Sequence, residues 1–271
     1  MSTANGSAQI LDDLALAHAL ADLADAITLD RYQAQDLVIT TKPDNTPVTD
    51  ADRAVEIAIR EALATHRQSD GLVGEEFGSD KGSSGRYWVI DPIDGTRSLV
   101  NGYQTYVCQV ALIENAMPIM SVVYEPALNN FYHSIKGQGS YKNDQKLNSN
   151  LQKLPDSIID NYPEPISSIK NLIKATSISK YLECGSIALK MCRIADMSAD
   201  LFLKKTRVFD WDIAPAALIV QEMGGVVNTL SGKQILFEGN FKKDNLLVSA
   251  NQSIHEYTLG KINELNGFND R

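Results

Sequence analysis

Histidine and cysteine are scarce in this chain, four and three residues in 271, and they do not cluster. Cys108, Cys184 and Cys192 are scattered, with no CxxC pair. That excludes a zinc site, which gathers such ligands at close spacing, and it excludes a disulfide framework. The three read as reduced core thiols of a cytoplasmic protein. Basic charge is in deficit: 25 Lys and Arg stand against 34 Asp and Glu, a net charge of −9. A nucleic-acid polymer or an anionic membrane is therefore excluded as the main partner, whereas a local basic pocket for a small phosphorylated ligand is not. No apolar run approaches the roughly 20 residues of a membrane span. The opening MSTANGSAQILDD has neither a basic nor an apolar leader segment, so no signal peptide is expected.

The chain does have an ordinary globular composition, 44% apolar and 22% charged, and length enough for one large domain or two lobes. The first 100 residues hold 2 Lys and 2 Asn and the remaining 171 hold 14 and 16. Two lobes with different surfaces, or halves of different origin, both account for this. The expected division is an N-terminal α+β half over 1–140 and a C-terminal α/β half over 141–271, forming one compact catalytic unit.

Periodicity predicts the elements. Leu16, Leu20, Leu23 and Ile27 mark the apolar face of a helix over 11–30. TTKPDNTPV is a loop or hairpin. Thr49 stands three residues before Asp52 and opens a capping-box helix holding Val55, Ile59 and Leu63. RYWVI reads as a buried strand, and three strands follow between 104 and 135. Helices are expected over 186–197 and from Trp211, the latter with Pro215 in its first turn and Gly224-Gly225 as its stop. DLFL and VVNTL read as strands, and the tail beyond about 263 as fraying. Helices flanking sheets in both halves predict a layered α/β or α+β fold.

Carboxylates gather where apolar structure stops: Glu75 and Glu76 in LVGEEFG, Asp91 and Asp94 in VIDPIDGT, Asp210 and Asp212 in VFDWDIAP. A buried carboxylate is unfavourable unless a cation accompanies it, and an all-oxygen set suits a hard divalent ion such as Mg²⁺. The aspartates are spaced three apart, not at the alternate positions of an EF-hand. GQG at 137–139 lacks the third glycine of a dinucleotide loop and reads as a turn. Asp210 is expected to neutralise Arg207 or Lys205.

In order and spacing these segments, with PVTDADRAVE upstream, resemble the signature of the inositol monophosphatase family of Mg²⁺-dependent, lithium-sensitive phosphatases, from about residue 11 to 255. The resemblance implies an αβαβα sandwich of the sugar-phosphatase kind. It implies that Glu75, Asp91 and the carbonyl of Ile93 hold one Mg²⁺, that Asp91, Asp94 and Asp212 hold another, and that the site takes two or three in all. A metal-activated water oriented by Glu75 and Thr96 would be the nucleophile, with Asp52 holding the Thr96 hydroxyl and Gly95 and Thr96 cradling the phosphate. The expected partner is a small phosphorylated metabolite and the expected state a homodimer. On substrate the halves diverge. The first resembles the bacterial histidinol-phosphatase branch. The second, with Gly185-Ser186 and the basic LKKTR of Lys204, Lys205 and Arg207, resembles the 3'(2'),5'-bisphosphate nucleotidase branch. Ser186, Lys205 and Arg207 are the expected substrate contacts. Histidinol phosphate leads, with inositol-1-phosphate and a bisphosphate nucleotide as alternatives. A non-catalytic relative should have lost a ligand carboxylate, and the matched ones are intact.

Overall fold

The computed structural model describes residues 2–43, 45–149, 154–238 and 241–265. Its larger sheet has eight strands. From one edge to the other these are Gln145–Lys146, Gly139–Lys142, Asn130–Ile135, Met117–Glu125, Val107–Glu114, Arg86–Asp94, Gly71–Gly74 and Gly78–Asp80. All neighbours are antiparallel except Gly71–Gly74 and Arg86–Asp94, which run parallel. Because successive strand side chains alternate between faces, Trp88, Ile90, Val110 and Leu112 point one way, and Val89, Ala111, Ile113 and Val123 the other.

The first face is covered by the helices Ser2–Arg31 and Asp50–His66. The other packs on Ile187–Ala195 and Asp210–Glu222. Asp210–Glu222 is buried nearly all round, from Ile213 to Val220, which requires a sheet on each side of it. The second sheet has five strands in the order Lys180–Glu183, Ser157–Asp160, Leu201–Lys204, Leu246–Ser249, Val226–Thr229. Ile169 and Leu172 of Ser167–Ala175 and Ile254 and Ile262 of Gln252–Glu264 complete its core. The layers are thus helix, sheet, helix, sheet, helix, the sandwich that the resemblance implied.

Most elements fall where periodicity put them, and the expected hairpin is present as Ile39–Thr41 paired with Pro47–Thr49. Two details differ. The first helix buries Asp13, Ala17, Leu20, Ala21, Ala24 and Thr28, while Leu23 is 37% exposed. Small alanines let this helix approach its neighbours closely, so the buried stripe is rotated from the one its leucines suggest. Pro215 lies inside its helix, not in the first turn, because the helix begins at Asp210. The expected fraying concerns a tail that, beyond residue 265, lies outside the described residues. The three cysteines are buried and free, and no helix among the described residues is long and apolar enough to cross a membrane.

Candidate active site

The parallel pair of strands assembles the acidic end of the sheet. Gly74 is in register with Ile90, so the residues that follow, Glu75 and Asp91, emerge together. Residues three apart on a regular strand face opposite ways. Between Asp91 and Asp94, however, the ladder to the next strand slips: Asp91 pairs with Gln109 and Asp94 with Val107. One extra residue is accommodated between them, in a stretch where Pro92 has no N–H to give the ladder. The bulge turns both carboxylates to the same side. From the second half, the first turn of Asp210–Glu222 adds Asp212, whose Oδ2 accepts the N–H of Phe209 at 2.6 Å.

Glu75, Asp91, Ile93, Asp94, Gly95, Thr96 and Asp212 line a single cavity of about 350 Å³, together with Lys204 and Arg207. Asp52 stands behind it. The Thr96 hydroxyl donates to Asp52 Oδ1 at 2.9 Å, and Oδ2 of the same carboxylate accepts from the Thr49 N–H at 2.8 Å and the Thr49 hydroxyl at 2.5 Å. The capping box that starts the helix therefore also fixes Asp52 for Thr96.

Ser186 is fully buried and is not among the residues lining this cavity. Its hydroxyl donates to Asp94 Oδ2 at 2.7 Å and accepts from the Leu189 N–H at 2.9 Å, capping the helix Ile187–Ala195. That geometry leaves the side chain supporting Asp94 in place of the substrate contact expected for it. Lys205 is likewise absent from the lining, whereas Arg207 is there. Asp210 pairs with Lys243 at 2.8 Å, not with Lys205 or Arg207.

Burial, then repulsion by Glu75, Asp94 and Asp212, holds the Asp91 carboxyl well above the usual carboxylate range. Asp212 is raised by burial and then by Asp94 and Glu75. Asp94 is raised by burial against the opposing hydrogen bonds from Ser186 and Ala188. Asp91 Oδ1 is buried with no hydrogen-bond partner. Such a set of mutually repelling oxygens is short of positive charge. Among the described residues it is not drawn into a preassembled group of three or more ligands.

Three supporting residues had no role in the sequence reading. Lys42, in the hairpin turn, lies 2.7 Å from Glu75 Oε1 and 2.6 Å from Glu76 Oε1. Burial pulls its ammonium down, but the two glutamates outweigh that and raise it. Glu56, fully buried, accepts the N–H groups of Glu76 and Phe77 at 2.7 and 3.2 Å and pairs with Arg60 at 2.8 Å. It anchors the acidic turn to the helix Asp50–His66. Lys190 is also fully buried, and burial pushes its ammonium down to about 8 against the attraction of Cys184 and Asp94. A lysine inside the apolar run IALKMCRIA is the one signal that could have singled it out.

The family model described as the inositol monophosphatase family matches residues 11–266. A histidinol-phosphatase of Mycobacterium tuberculosis (strain ATCC 25618 / H37Rv) is 34% identical over 263 residues, 93% of this chain and 98% of that protein. A histidinol-phosphatase of Streptomyces coelicolor (strain ATCC BAA-471 / A3(2) / M145) is 33% identical over 268 residues, 94% of this chain and 98% of that one. Among solved structures, an IMPase/NADP phosphatase crystallised with Mg²⁺ and phosphate superposes with a TM-score of 0.82 at 25% identity, covering 96% of this chain and 97% of its own.

Proposed function

Since the chain belongs to the inositol monophosphatase family of phosphoric monoester hydrolases, we propose that it is a magnesium-dependent phosphatase whose substrate is histidinol phosphate. The observation that carries the chemistry is the gathering of Glu75, Asp91, Asp94, Asp212 and Thr96 on one cavity. The donors fit magnesium: they are all oxygen, and the orphaned Oδ1 of Asp91 is a buried acceptor without a donor. Glu75, Asp91 and the carbonyl of Ile93 would hold one ion and Asp91, Asp94 and Asp212 another, within a total of two or three. Magnesium, when bound, supplies charge that stabilises the phosphoryl oxygens and makes water nucleophilic at neutral pH.

The chain's own residues set the rest. Thr96, its proton directed at Asp52, turns lone pairs to the cleft and orients water together with Glu75. The backbone N–H groups of Gly95 and Thr96 receive the phosphate, and Lys204 and Arg207 offset its charge. The half up to residue 140 supplies most ligands and the phosphate cradle, and the half beyond it reads the alcohol. A cytoplasmic homodimer inhibited by lithium belongs to the same reading. The histidinol-phosphatase relatives, at 33–34% identity along nearly the whole chain, support the substrate. A bisphosphate nucleotide is the second reading, favoured by Lys204 and Arg207 in the cavity.

The test is phosphate release from histidinol phosphate, inositol-1-phosphate and adenosine 3',5'-bisphosphate, with magnesium and with EDTA. The expected result is the highest kcat/KM for histidinol phosphate, activity lost in EDTA and restored by magnesium. Preference for the bisphosphate would overturn the substrate. No release from any ester would favour a non-catalytic relative.

A further inference from the structure

The strand Val107–Glu114 carries one residue out of keeping with its surroundings. Over 107–113 the sequence reads VCQVALI, and Gln109, the only primary amide in that run, is 2% exposed. It is the cross-strand neighbour of Asp91, so the two side chains stand on the same face of the sheet. Ala111, two residues on and therefore on that face too, belongs to the core shared with Ile213 and Ala214 of the helix Asp210–Glu222. Gln109 thus lies where the two halves meet, behind the acidic cavity and outside its lining.

Its Nε2 donates to Asp91 Oδ2 and to the backbone carbonyl of Asp212, both at 3.4 Å. Both partners are acceptors, so the nitrogen must face them, and Oε1 is left buried with no hydrogen-bond partner. An amide so placed does little for folding. Its two bonds are long, and an unpaired buried acceptor is unfavourable. An apolar side chain of the same length would fill the space at least as well. What the amide supplies is two protons on one nitrogen, without charge. A hydroxyl has only one, and a lysine or arginine would set a cation against the ion that the carboxylates attract. With Oδ2 held, Asp91 keeps Oδ1, itself without a partner, for a ligand. The same nitrogen ties down the helical turn from which Asp212 extends.

We infer that Gln109 is a positioning residue of the metal site, fixing Asp91 of the first half and Asp212 of the second at the separation a bound magnesium requires. This rests on the reading that the acidic cavity holds magnesium. Hydrogen-bond partners that orient metal ligands govern metal affinity by roughly ten- to a hundredfold.

The test is calorimetric titration of magnesium into metal-free wild type, Gln109→Met and Gln109→Asn, with urea denaturation of each in EDTA. Methionine matches the length of the side chain without a donor, and asparagine keeps the amide but withdraws it by one methylene. Gln109→Met should raise the magnesium Kd roughly tenfold or more. Its urea midpoint should stay close to wild type, because the unpaired Oε1 disappears along with the donor. Gln109→Asn should raise Kd by a smaller factor. At saturating magnesium most of the turnover should return, with KM for the phosphate ester unchanged. A lowered urea midpoint with an unchanged Kd in Gln109→Met would make the amide merely structural and overturn the inference. If Gln109→Met does not fold, an unchanged Kd in Gln109→Asn overturns it instead. No magnesium binding by wild type would overturn the metal reading and this inference together. Magnesium binding without hydrolysis of any ester would overturn the enzymatic reading alone, with the Kd shifts still deciding the role of Gln109.

Discussion

Asp94 shows how one side chain serves the fold and the site with different atoms. Its Oδ2 accepts from the Ser186 hydroxyl at 2.7 Å and the Ala188 N–H at 2.6 Å, joining the end of the strand Arg86–Asp94 to the start of the helix Ile187–Ala195. Oδ1 is left for the cavity. Asparagine keeps an oxygen that can accept both bonds but loses the charge. Asp94→Asn should therefore lower hydrolysis by a factor of about 100 or more. Its urea midpoint in EDTA should equal or exceed that of wild type, because one repelling carboxylate is gone. Near-normal turnover would show that Asp94 is not a ligand.

At the scale of elements, the acidic turn after Gly71–Gly74 is set by what lies beneath it. A Cβ at Gly74 would stand 2.0 Å from Glu56 Oε1, and Glu56 is pinned by Arg60, Glu76 and Phe77. An added methyl must displace either the turn or the carboxylate that anchors it. Gly74→Ala should lose about 2–3 kcal/mol of stability, as overpacking does. It should lose activity out of proportion, because Glu75 moves with the turn. Urea denaturation and a magnesium titration of phosphate release measure the two effects separately. Unchanged apparent magnesium affinity would mean that Glu75 is positioned by something other than this turn.

For the whole molecule, burial of histidines between layers makes stability depend on pH. His18, on the first helix, and His133, on Asn130–Ile135, have ring centroids 5.3 Å apart. Burial, the largest influence on each, holds both below their usual value of 6.5, as it does His255 in the last helix. The native state takes up protons on these rings less readily than the unfolded chain does. Their contribution is therefore present above pH 6.5 and is lost as pH falls below it. Asp91 and Asp212, held high, contribute with the opposite sign in the metal-free protein, losing stability as pH rises. Comparing variants isolates the histidine part: the urea midpoint of His133→Gln should fall less than that of wild type between pH 7.5 and 5.5. Parallel curves would rule out a protonation penalty at His133.

Features carried by neighbours in sequence were legible without a structure. Asp91, Asp94, Gly95 and Thr96 stand within a few residues of one another, and Thr49 caps its own helix, so spacing marks the acidic turn and the capping box, and the family resemblance assigns their expected roles. Alternation and helical period likewise located most elements, because burial on a face repeats with the element, whereas the order of the five layers was implied by the family resemblance. What tertiary structure decided is whatever depends on residues far apart in the chain. That the first helix buries its alanines and not Leu23 depends on how closely its neighbours approach. Ser186 reads as a substrate contact until the helix it caps is seen to lean on Asp94. Asp210 finds Lys243, 33 positions on, in preference to the nearer cations. Lys42 and Glu56 look, residue by residue, like any surface charge. Only the packing of hairpin and helix around one cleft distinguishes them, because a charge has the same chemistry everywhere until burial and partners give it a direction and a task.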